Sequence, residues 1–337
     1  VLKMLEILGS AALGVAGLSA FIALYRSRAD NGKKGGLLEF YDVDVEKIGE
    51  GTYGFVSKCT SKSTGEDRAV KSLSKAQGKN VCLFKQEIAN LKIMDHPNII
   101  RLYETYEDHR NIYLVMEICT GGDLFKKIGG MDIFTEAQAG IVMEQILRGV
   151  SHIHEMGIIH FLLQPEHCLF QTKNPIEANT LKIVDFVYSR NFAEGNLASP
   201  KCGTPFYVAP QVLCGKSKFV DQTADIWSCG VIMFILMCGY PPFRGPTEPE
   251  TLIKVKLANY SFMREDWTDC NVSEDAKNLI RMLLKLNPRN RYSAEQALNH
   301  AWIKNKARNK TNPLNTVKNL KNFQFCGEGS RTQYDLN

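Results

Sequence analysis

Gly49-Glu50-Gly51-Thr52-Tyr53-Gly54 follows the order G-x-G-x-x-G, a spacing that lets a backbone close over phosphate groups. Alone the motif is weak, because glycine-rich turns between strands are common. Order and spacing add to it. Val56 follows the third glycine by two residues, and Ala69-Val70-Lys71 then carries a single lysine that can contact phosphates. Glu87 falls further along, where a carboxylate can hold that lysine in place. A second stretch, "HFLLQPEH" at residues 160–167, has a histidine and a Pro-Glu pair but no aspartate, lysine or asparagine to do chemistry. His167 could ligate a metal, but with no second His or Cys in the loop, packing or solvent contact is the simpler reading. The glycines and the Lys71–Glu87 pair have a structural reading too, as residues the surrounding strands need in order to pack.

These residues must be carried by particular elements. "YDVDVEKIGEGTYGFVSKCTSK" reads as strand, glycine turn and strand, "DRAVKSL" as a third strand, and "NIYLVMEIC" as a buried strand. "VCLFKQEIANLKIM" places Leu83, Ile88, Leu91 and Met94 near helical spacing. "TGGDLFKKI" turns into a helix. After Glu136 long apolar-periodic segments dominate: "EAQAGIVMEQILRGVSHIHEM", "DIWSCGVIMFILMCG" and "SEDAKNLIRMLLKL". A strand-rich first part followed by a helix-rich second part predicts an α+β fold of two lobes.

With these elements in place, the chain resembles the protein kinase family, over roughly residues 41–303. The resemblance rests on the glycine motif, Lys71, Glu87 and "HPNII", then on "MEICTGGDLF", "IVDFVYS", "GTPFYVAP", "DIWSCGVIMFILMCGYPPF" and "LLKLNPRNRYSAEQALNHAWI". "GGDLF" and "CGYPPF" make it most similar to the calcium-dependent protein kinases of plants and protists. "NTVKNLKNFQF" resembles the start of that group's autoinhibitory junction. No calcium-loop pattern D-x-[DN]-x-[DN]-G follows, so no calcium binding is expected.

The resemblance implies a bilobal fold and a nucleotide site made by Gly49, Gly51, Gly54, Val56, Ala69, Lys71, Glu87, Met116, Glu117 and Asp185, with Asp185 as the metal ligand. His160, Asp225 and Arg291 match structural positions of the family. Val187 stands where the family has the glycine of its D-F-G motif, and its Cβ restricts the backbone there. The transfer side departs further. The family's H-R-D-L-K-P-E-N reads His160-Phe161-Leu162-Leu163-Gln164-Pro165-Glu166-His167. Leu162 replaces the aspartate that accepts the substrate hydroxyl proton, Gln164 the lysine that neutralises phosphoryl charge, and His167 the asparagine that helps hold metal. Phe161 replaces the arginine that would read an activation-loop phosphate, leaving Ser199 and Thr204 without an obvious switch partner. Gln211 replaces the glutamate that pairs with Arg291.

Losing a general base costs about 10²–10⁴ in rate, and losing charge stabilisation usually costs more. Such losses act on one transition state and need not add. The expectation is a pseudokinase, not an enzyme. ATP can still be held and Mg²⁺ held more weakly, with neither required.

Composition leaves little room for other classes. Hydrophobic residues at 44% and charged residues at 23% fit a folded globular protein. A net charge of +5 without a dense Lys/Arg run gives no footprint for nucleic acid. None of the ten cysteines forms a C-x-x-C pair, which favours buried free thiols and a reducing compartment over a disulfide framework.

Residues 7–24, "ILGSAALGVAGLSAFIAL", carry no charge and are just long enough to span a bilayer. Tyr25, Arg26, Arg28, Lys33 and Lys34 follow them, which would leave the globular part on the positive-inside side. Ala12, Ala16 and Ala20 make a small-residue face of the kind that packs against another membrane helix. The expected organisation is therefore a single transmembrane segment over 1–30, a Gly/Lys linker over 31–39, a kinase-like domain over 40–303 (small lobe about 40–118, large lobe about 119–303) and a tail over 304–337. The expected function is a membrane-anchored scaffold or structural subunit of a membrane assembly, in an organelle inner membrane (the mitochondrial one favoured) or a cytosol-facing one, with membrane protein partners at the alanine face and the kinase-like domain. Two alternatives stay open: an ATP-binding regulator without phosphotransfer, and a weakly active serine/threonine kinase.

Overall fold

The computed structural model describes residues 36–51, 53–76, 80–191, 205–213, 221–268, 272–305 and 313–322. They fall into two compact units, one reaching Asp95 and including Arg101–Ile118, the other made of His96–Ile100 and the chain from Cys119 onward.

The small unit opens with α1 (Leu37–Phe40) and holds strands β1 (Tyr41–Gly51), β2 (Gly54–Ser61) and β3 (Asp67–Ser74), helix α2 (Val81–Ile93), and strands β4 (Leu102–Glu107) and β5 (Asn111–Met116). All neighbours in its sheet are antiparallel, in the order β1-β2-β3-β5-β4. Leu37, Tyr41, Cys59, Val70, Tyr106 and Val115, drawn from α1 and all five strands, form one buried cluster. The strand β4, "LYETYE", has no counterpart among the expected elements, because tyrosine and glutamate give it no clear apolar alternation. Helix α2 forms where its apolar spacing predicts: Leu91 and Met94 are buried as expected, Leu83 and Ile88 are only partly covered, and Phe84, Glu87 and Asn90 complete the buried face. A buried glutamate or asparagine is invisible to an apolar-periodicity argument, so that part of the face is not read from spacing.

The large unit contains α3 (Leu124–Gly129), α4 (Glu136–Glu155), β6 (Ile158–Ile159), β7 (Cys168–Phe170), β8 (Leu181–Ile183), β9 (Arg190–Asn191), α5 (Pro210–Leu213), α6 (Thr223–Cys238), α7 (Glu248–Lys256), α8 (Glu265–Thr268), α9 (Glu274–Leu283), α10 (Ala294–Leu298), α11 (Ala301–Lys304) and α12 (Thr316–Asn322). Thr135 starts α4 by a reciprocal cap with Gln138, each side chain meeting the other's backbone N–H. Every residue of α6 from Ala224 to Cys238 is buried, which fits its lack of a polar face and makes it the central post of this unit. Gly239 ends it at φ 82°, the left-handed conformation that glycine adopts without penalty. The helix α12 lies where the sequence suggests only a peripheral tail. Thr316 Oγ1 donates to the Leu236 carbonyl and Asn319 Nδ2 to the Cys238 carbonyl, each at 2.7 Å. These bonds satisfy carbonyls at the end of α6 that the helix itself leaves open.

The six cysteines among the described residues are free thiols, four of them buried. The expected transmembrane architecture is corrected. Among the described residues no helix is long and apolar enough to cross a membrane; α6, the most apolar, is a core helix of 16 residues. The run over residues 7–24 and its Ala12, Ala16 and Ala20 face lie outside the described residues. Single-pass membrane placement, and the mitochondrial membrane with it, has no support among the described residues.

Candidate functional site

In the small unit the glycine motif is the turn between β1 and β2, with Gly51 paired to Gly54 and Gly49 to Val56. Gly54 is a glycine for packing reasons, since an added Cβ would lie 1.8 Å from the Ser72 carbonyl oxygen on β3. At Gly49 the same atom would meet only Val56, at an ordinary 3.8 Å. Tyr53, inside the motif, sets its ring edge-on against Phe84 of α2 with centroids 5.6 Å apart. Its carbonyl accepts from the Ser74 N–H at 3.1 Å. The turn is thus tied to both β3 and α2 by a residue that the motif itself leaves unspecified.

Register places Lys71 opposite Val56 on one side and Leu114 on the other, and Ala69 opposite Met116. Because side chains alternate along a strand, Val56, Ala69, Lys71 and Met116 share one face of the sheet. Lys71 Nζ donates to Glu87 Oε1 at 2.8 Å, with Glu87 only 1% exposed. Burial makes that pair directional: the carboxylate points the ammonium along the face that carries Val56 and Ala69. Glu117 serves the chain instead, its Oε1 accepting from the Arg101 N–H at 2.7 Å. A lysine above an apolar strip of Val56, Ala69 and Met116 is chemistry suited to a nucleotide, the strip to a base and the cation to phosphate.

In the large unit, Asp225 of α6 organises the loop after β6. Its carboxylate accepts from the N–H groups of His160 and Phe161, each at 2.9 Å, and from His154 Nε2 at 2.9 Å. Burial opposes charge on Asp225, yet the bonds and charge of His154 and the His160 N–H hold its carboxyl below the usual carboxylate range. These bonds support Phe161 at φ 66°, an uncommon conformation for a side-chain-bearing residue. His160 is fully buried, and its Nε2–H donates to the Val184 carbonyl at 3.1 Å. Burial pushes its imidazole down to about 4.

Leu162, Gln164 and Asp185 gather around the His167 ring. His167 Nδ1–H donates to the Leu162 carbonyl at 2.6 Å. Its Nε2 lies 3.2 Å from Gln164 Nε2 and 3.3 Å from Asp185 Oδ2. Asp185, also at φ 66°, keeps a third of its side chain exposed. Leu162 contributes a backbone carbonyl and no side-chain lone pair. Arg291 is buried; its guanidinium donates to the Thr223 and Lys285 carbonyls at 2.6–3.0 Å and to Gln211 Oε1 only at 3.4 Å. Burial lowers it to about 10. Ser199 and Thr204 lie outside the described residues.

The protein kinase domain family matches residues 43–303 of this chain. The chain is 43% identical over 273 residues to calcium-dependent protein kinase 3 of Plasmodium berghei (strain Anka), covering 81% of this chain and 48% of that protein. It is 40% identical over 292 residues to calcium-dependent protein kinase 5 of Plasmodium falciparum (isolate 3D7), covering 85% and 50%. Myosin light chain kinase A of Dictyostelium discoideum is 37% identical over 294 residues, covering 86% of this chain and 96% of its own length. The chain therefore spans about half the length of the Plasmodium relatives it matches. These relatives carry the names of kinases, and they overturn the expected role as a membrane-anchored scaffold or structural subunit of a membrane assembly. A strand-rich unit with a lysine–glutamate pair, a helical unit built on Asp225, and a match over residues 43–303 place this chain in the protein kinase family.

Proposed function

We propose that this chain is a nucleotide-binding protein kinase domain that performs no phosphoryl transfer and acts as a regulator through its nucleotide-bound state. One observation carries the loss of transfer. Leu162 stands where the family has its proton-accepting aspartate, and within the same loop the side chains of Gln164 and His167 contact each other, with His167 also meeting Asp185, rather than forming a charged transfer site. Leucine cannot accept a proton, and a neutral amide at Gln164 gives no cation to offset charge developing on a transferred phosphoryl group. Nucleotide retention is supported by the Lys71–Glu87 pair at 2.8 Å and the strip of Val56, Ala69 and Met116 beside it. When bound, ATP would supply the phosphates that Lys71 neutralises.

Calorimetric titration of ATP onto the purified chain is expected to show saturable binding, weakened at least tenfold in Lys71→Met. No binding under any condition overturns the nucleotide reading. The relatives' names favour a second reading, a weakly active kinase. Phosphate transfer to peptide or to the chain itself, abolished in Asp185→Ala, would establish that reading and overturn the first.

A further inference from the structure

Magnesium is the metal expected beside a kinase nucleotide, and it demands oxygen ligands. The donors here do not match that demand. His167 has replaced an oxygen-bearing side chain, and its Nε2 lies 3.3 Å from Asp185 Oδ2. The tautomer is set by the other ring nitrogen, whose proton goes to the Leu162 carbonyl at 2.6 Å. In the neutral ring Nε2 is then a lone pair directed to the same side as the Asp185 carboxylate. Metal-bound histidines use this device, donating the far N–H to a backbone carbonyl to orient the near nitrogen. The Gln164 amide, 3.2 Å from Nε2, supplies a donor to that lone pair and is the group a metal would displace. Both His167 and Asp185 reach solvent, at 14% and 33% exposure, so an ion has a path in.

We infer that His167 and Asp185 form an imidazole–carboxylate half-site for a borderline divalent transition ion of the zinc and cobalt class, in place of magnesium. Imidazole suits such ions and adds little for magnesium. Among the described residues no group of three or more His, Cys, Asp or Glu could hold a metal unaided. The remaining positions therefore belong to water or to oxygens of a bound anion, and the half-site deepens the nucleotide-binding reading on which it rests.

The test is Co²⁺ titration of the purified chain, with and without ADP, followed by the hyperfine-shifted imidazole resonances of metal-bound histidine. His167→Asn, which restores the family's residue, is the paired variant, and Asp185→Asn the second. Expected are shifted ring resonances in the wild-type chain that are missing in His167→Asn, with Co²⁺ affinity at least about tenfold weaker there. Mg²⁺ should compete poorly in the wild type and better in His167→Asn. Equal Co²⁺ and Mg²⁺ behaviour in wild type and His167→Asn, or no shifted histidine, overturns the half-site. ADP binding measured in excess chelator separates the two readings. Nucleotide bound without any metal preference sinks the half-site alone, and shifted resonances without nucleotide binding sink the nucleotide reading alone.

Discussion

At the scale of single residues, His160 ties this fold to pH. Its imidazole titrates near 6.5 in an unfolded chain and is lowered to about 4 here by burial. Between those values the unfolded state binds the extra proton, so stability is complete above pH 6.5 and falls as pH drops toward 4. At about 1.4 kcal/mol per unit, the loss is on the order of 3 kcal/mol. His96 and His300 are also lowered by burial and act in the same direction. Denaturant melts from about pH 7 to about pH 4 should show this decline, and His160→Gln should flatten its largest part. An unchanged slope in that variant would remove His160 as the cause. The motif marks His160 as structural from sequence alone, but its burial comes from packing on Phe186 and the chain around Val184, which no local pattern encodes. In sequence His167 is an isolated ring, because Asp185 lies well beyond the loop, after β8.

At the scale of elements, Gly54 and Gln211 each test a junction. The strands β2 and β3 approach so closely at Gly54 that alanine would place its Cβ on the Ser72 carbonyl. Gly54→Ala is expected to cost more than about 2 kcal/mol, chiefly as faster hydrogen exchange along β2 and β3. Gln211 makes only long contacts to Arg291, at 3.4 Å. Gln211→Glu would give that buried guanidinium a charged acceptor and should raise the melting temperature, by about 1 kcal/mol of stability. A lower melting temperature would mean that the carbonyls of Thr223 and Lys285 already satisfy Arg291 fully. The long strands and helices were legible because their apolar residues repeat. Two short hairpin strands, β7 and β8, and the burial of Phe84 and Asn90 on α2 were not, since each depends on partners distant in sequence.

At the scale of the whole chain, the family was legible throughout residues 41–303, because its motifs are spaced by elements that must meet. The membrane expectation came from the composition of a segment outside the described residues, and no described helix supports it. The stretch expected to be a tail includes α12, whose Thr316, Val317 and Leu320 are buried. Ending the chain after Asn305 removes those burials and the two bonds to the end of α6. At roughly 1.5–3 kcal/mol per buried aliphatic side chain before offsetting entropy, the net loss should be about 2–3 kcal/mol. Comparison of melts for chains ending at 305 and 322 checks this; equal stability would mean α12 is only loosely seated.

The contrast between Gly49 and Gly54 turns the glycine turn into a historical record. Gly54 answers to the neighbouring strand whatever the turn binds, so natural selection for folding alone would retain it. Gly49 meets no such obstacle. Across descendants of this gene, a Gly49 that stays fixed would report continued selection for phosphate contact. A Gly49 that drifts to alanine or serine while Gly54 holds would date the loss of the nucleotide.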